Sequence, residues 1–162
     1  MARYTQPSRL AWEDRWVEPS LGQLLGPIKD PNRTMIENLV SQLDDFDKVE
    51  RNVAWYGDAW KWTIQYVQRK PESGKDQILC YLIPKSEGPL VCVPLTSQLI
   101  QKLPMRRLGK VVRDGIMSAK CAVATYWATW APNNRTEVDH LMDLMKRKHK
   151  LALIFANDKL KN

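Results

Sequence analysis

Val53-Ala-Trp-Tyr-Gly-Asp-Ala-Trp-Lys-Trp-Thr-Ile-Gln-Tyr66, then Ile78-Leu-Cys-Tyr-Leu-Ile-Pro84, then Leu90-Val-Cys-Val-Pro-Leu95, decide the fold. In the first run Trp60, Trp62, Ile64 and Tyr66 alternate with Lys61, Thr63 and Gln65. A strand sends successive side chains to opposite faces, so the pattern gives one aromatic and one polar face. The next two runs are apolar on both faces, as covered strands are. Gly57-Asp58 marks a turn or bulge, and 84–89, bounded by prolines and holding Gly88, marks a loop. These runs predict consecutive antiparallel strands. If Ile83 pairs with Pro89, Cys80 and Cys92 share a face; a slip of one residue separates them.

Helical spacing flanks the sheet. A helix is expected over about 34–47, with Thr34 and Glu37 as a capping box and Met35, Ile36, Leu39, Val40, Leu43 and Phe46 as its stripe. Thr96 or Ser97 can cap a short helix to Leu103, and a basic helix is expected over 105–118. There Met105, Leu108, Val111, Val112 and Ile116 share one face, and Arg106, Arg107, Lys110 and Arg113 the other. Gly115 in the apolar arc permits close packing. The alternation from Cys121 to Ala131 reads as one strand. A last helix, about 136–149, is striped by Val138, Leu141, Met142, Leu144 and Met145, with an apolar tail after it.

Residues 1–31, broken by prolines and glycines, read as an arm before a single domain over 32–162. Leu10, Trp12, Trp16 and Val17 are expected to dock it, on this chain's own core or on a second copy in a homodimer. The fold class expected is α+β: an antiparallel sheet of about four to six strands with helices packed mainly on one face.

Composition narrows the class. A chain of 162 residues, 44% hydrophobic and 27% charged, can build a core without disulfide or metal staples. No apolar run approaches the roughly 18 residues of a membrane helix, and the first residues hold no apolar signal core. Three cysteines without framework spacing fit a reducing cytoplasm. The net charge of +7 is concentrated in 101–120, where six cations meet Asp114 alone, and in the last helix and tail.

The order of elements, with Tyr56, Gly57, Trp60, Trp62 and Tyr66, then Leu79 to Pro84, then Asp139 to Lys148, resembles a bacterial family catalogued as domain of unknown function 3788. The resemblance covers about 33–150. That family has no established activity, so the resemblance implies a layout and no chemistry.

Reaction motifs are absent from the sequence. His140 and His149 lie on or just past the last helix, and Cys80, Cys92 and Cys121 lie in apolar strand settings that favour inert thiols. His140 and its neighbour Asp139 do not face each other on a helix. No metal-ligand spacing, phosphate-cradling loop or paired carboxylate set stands out. We therefore expect no catalytic residues, no metal and no cofactor. Two constellations remain as candidates, beside the plainer readings of the rings as core and of the basic helix face as solvated. Trp60, Trp62, Tyr66, Tyr126 and Trp130 are the candidate lining of a small-molecule site on the sheet. Arg106, Arg107, Lys110 and Arg113 are the candidate nucleic-acid surface, joined by Lys146 to Lys150 if the last helix lies near. A single-stranded nucleic acid would need exposed rings beside those cations.

Overall fold

A computed structural model describes residues 11–69, 76–85 and 87–160, the side chains of 156–160 excepted. The protein is an α+β domain built on one six-stranded antiparallel sheet. In chain order the elements are α1 (Leu21–Leu25), α2 (Asn32–Asp44), β1 (Val49–Trp55), α3 (Gly57–Trp60), β2 (Trp62–Gln68), β3 (Gln77–Ile83) and β4 (Leu90–Thr96). Then come α4 (Ser97–Lys102), a 3-10 turn (Met105–Arg107), α5 (Lys110–Met117), β5 (Lys120–Ala122), β6 (Thr125–Trp130) and α6 (Arg135–Leu160). The strand order is β1-β2-β3-β4-β6-β5.

One face of the sheet carries the core. Trp62, Ile64 and Tyr66 of β2, Leu82 of β3, Val91 and Val93 of β4, and Ala128 and Trp130 of β6 pack there with α2, α5 and α6. The helices bring Ile36, Leu39 and Leu43, then Val112 and Ile116, then Leu141 and Met145. The arm belongs to the same core from residue 11 onward. Leu24, Leu25 and Ile28 are buried in it, and Trp12 packs on it. The Trp62 indole N–H donates to the Asp14 carbonyl at 2.7 Å. Ser20 and Gln23 form the capping box of α1, a signal present in the sequence as Ser-x-x-Gln. Trp16 and Val17 are exposed instead of docked, and Leu10 lies outside the described residues.

Several expected boundaries move. Thr34 does not cap α2: Asp30 accepts its N–H and its hydroxyl, and Glu37 pairs with Arg33 at 2.9 Å. Trp60 leaves the expected strand for the single turn of α3, closed by Lys61 at φ 54° donating its N–H to the Gly57 carbonyl. That turn folds over the supposed polar face, where Thr63 is buried and its hydroxyl donates to the Trp60 carbonyl. The basic helix is two pieces, because Leu108 turns into the core between the 3-10 turn and α5. Gly109, between them, lies against His140: a Cβ there would come within 2.4 Å of the ring. Val123 and Ala124, both at positive φ, break the expected last strand into the β5–β6 hairpin. The final helix runs on to Leu160, so the apolar tail is helical.

Candidate functional site

β3 and β4 are each seven residues long, yet they pair only at Tyr81–Cys92, Leu82–Val91 and Ile83–Leu90. The next hydrogen-bonding rung would set Leu79 against Pro94. In an antiparallel ladder alternate residues turn both backbone groups toward one neighbour. Pro94 has no N–H to offer there. The strands part at that point, β3 staying with β2 and β4 with β6.

Lys148 fills the gap. It continues the inner stripe of α6, three residues after Met145 and four before the buried Ala152. Its Nζ donates to the carbonyls of Ile78 (2.6 Å), Leu79 (3.0 Å) and Pro94. An ammonium has three donors, and here it meets three backbone acceptors. The residue is 1% exposed. Burial pulls its pKa down to about 7, while the thiols of Cys80 and Cys92 favour the charged form. The same burial pushes Cys80 up to about 12 and raises Cys92.

Lys148 also lines a pocket of about 280 Å³. Gln77, Ile78 and Tyr81 of β3 form one side of it, Pro94 and Thr96 of β4 another, and Thr125 and Trp127 of β6 the third. Tyr81 pairs with Cys92, and Pro94 with Trp127, so these side chains share the sheet face opposite the main helices. Rings gather on that open face. Tyr81 touches Tyr56 and Trp60 at centroid distances of 5.3 Å each, and Trp127 at 6.2 Å. Burial raises the pKa of Tyr56 and Tyr81, so both phenols stay neutral. No family model matches this chain, and no curated protein or solved structure matches it either.

The structure divides the expected aromatic set. Trp62, Tyr66 and Trp130 are buried under the helices, 7%, 0% and 6% exposed. Tyr66 donates its hydroxyl to Asp44 at 3.3 Å, and Trp130 its indole N–H to the Val111 carbonyl at 3.0 Å. These three rings belong to the core under the helices. Tyr126 borders a separate apolar hollow of about 360 Å³ with Ile100, Met105 and Met117. Of the expected five, Trp60 alone joins the open-face cluster. Tyr56, Tyr81 and Trp127 complete it. Tyr81 was legible only as an apolar strand residue, because its face depends on register.

The cations are also divided. Arg106, Arg107 and Lys110 are exposed, and the Arg113 guanidinium donates to the Met105 carbonyl at 3.4 Å. They lie on the helix side of the sheet, since α5 packs on Trp130. The Tyr81–Trp127 rings lie on the other side. Lys148 is drawn inward, and Arg147 pairs with Asp143 at 3.0 Å. Cys80 faces the core and Cys92 the open face, because the register puts Cys92 opposite Tyr81 instead of Cys80. Among the described residues no group of three or more potential ligands could hold a metal. No helix among them is long and apolar enough to cross a membrane.

Proposed function

We propose that this chain is a small-molecule binding module whose ligand sits in the pocket at the β3–β4 split, against Trp127. The observation that carries the reading is the pocket at the β3–β4 split, which has aromatic walls and a buried amine in its lining. Ligand sites are concave, mostly apolar and furnished with a few placed polar groups. Here Gln77, Thr96 and Thr125 supply the neutral polar groups. The volume suits a ligand of one or two rings. No carboxylate, histidine or thiol belongs to the lining of this pocket.

Native mass spectrometry of the purified protein tests the reading. The expected result is a discrete small adduct that disappears on denaturation and is missing from folded Trp127→Ala. An adduct that survives in that variant places the ligand elsewhere and overturns the reading.

A further inference from the structure

Resting on that reading, we infer that the pocket selects a planar ligand carrying a carboxylate or similar anionic group, its ring against Trp127 and Tyr81 and its charge toward Lys148. Among the described residues no carboxylate lies within ion-pair distance of the buried Lys148 ammonium. A buried cation without a counter-charge is costly, because the carbonyls replace only part of its hydration. A ligand anion in the adjoining pocket supplies the missing charge.

The lining fixes the sign. Apart from Lys148 its one ionisable group is the phenol of Tyr81, whose pKa is raised. Lys148 is thus the one charged side chain of the lining, and its field favours an anion over a cation. The three N–H groups of Lys148 are engaged by carbonyls, so the ammonium acts on a ligand chiefly by charge. Direct hydrogen bonds come from the rim. Thr96 Oγ1 accepts the Leu99 N–H and keeps its own proton to donate, and the Gln77 amide gives one N–H to Gln68 and keeps another.

Benzoate and its neutral analogue benzamide separate the possibilities. Each is titrated into the labelled full-length protein while the Trp127 indole N–H is followed by NMR, with Trp127→Phe to assign the signal. The expected result at pH 6 is binding of benzoate about tenfold or more tighter than of benzamide, the effect of one nearby charge at a partly shielded site. The preference should shrink between pH 6 and pH 9 as Lys148 loses its proton. The other titratable groups facing Lys148 are Cys80 and Tyr81 from β3 and Cys92 from β4, and all have raised pKa values. Lys148→Met should remove the preference for benzoate over benzamide. Should that variant not fold, the pH series on the unaltered protein decides.

Equal or better binding of benzamide overturns the anionic class and leaves the pocket reading standing. A benzoate preference that ignores both pH and Lys148→Met overturns the role of Lys148. If neither compound shifts Trp127 at millimolar concentration, both the inference and the pocket reading fail.

Discussion

The Nζ of Lys148 stands 3.0 Å from the carbonyl oxygen of Leu79, the acceptor that the amide of residue 94 would have served were it not proline. One side chain from α6 thus replaces a rung of the sheet and opens the space beside it. Its folded pKa of about 7 lies below the ordinary 10.5. Between those values the unfolded chain holds a proton that the folded chain has released, so stability attributable to Lys148 rises with pH across about 7 to 10.5. Below that window both states are protonated and the full cost of burying the charge is felt. The stability difference between the unaltered protein and Lys148→Met, from urea unfolding at several pH values, should move in favour of the lysine as pH rises. Its steepest slope should approach about 1.4 kcal/mol per pH unit. A flat difference would mean that the folded amine titrates normally.

A second relationship fixes the packing of α5. A Cβ on Gly115 would fall 2.0 Å from Nε1 of Trp130. Gly115→Ala must push the indole away and break its hydrogen bond to Val111. We expect a loss of about 3 kcal/mol, from overpacking together with an unsatisfied buried group. Thermal unfolding checks it, and an unchanged midpoint would show that the ring has room to move.

The two classes of tryptophan should separate cleanly. Trp62→Ala empties a core position and should cost about 3–5 kcal/mol. Trp127 is 36% exposed, and Trp127→Ala should cost about 1–2 kcal/mol, clearly less than Trp62→Ala. Chemical denaturation of both variants tests this, and a reversed order would contradict the division between core and open face.

Thiol reactivity tests the register. Cys121 is exposed, whereas Cys80 and Cys92 are buried with raised pKa values. Thiolate is the reactive form, so one thiol should react with Ellman's reagent in the folded protein and three after unfolding. Rapid reaction of two thiols in the folded protein would contradict the placement of the β3–β4 pair.

Much of this was legible in the sequence because period carries burial. The alternation of Trp62, Ile64 and Tyr66 located β2, the stripe of Ile36, Leu39 and Leu43 located α2, and the small residue at 115 announced close packing. Whether a ring is core or pocket was not legible. Trp62 and Trp127 look alike in a strand, and only the helices decide which face is covered. The Val123-Ala124 turn escaped because neither residue favours positive φ. Lys148 escaped because a lysine in a basic run reads as solvated. The signal was present, though: the spacing of Val138, Leu141 and Met145 carries onto 148 and 152. Pro94 within an apolar strand was the matching hint that a sheet bond was missing.

The most direct test of the central claim is the titration of the Lys148 amine itself, by NMR of protein labelled with 15N at lysine Nζ. The account predicts a shielded, slowly exchanging amine with a midpoint near 7, which moves upward when benzoate is added. A Lys148 signal that exchanges rapidly, titrates with the surface lysines and ignores benzoate would contradict it.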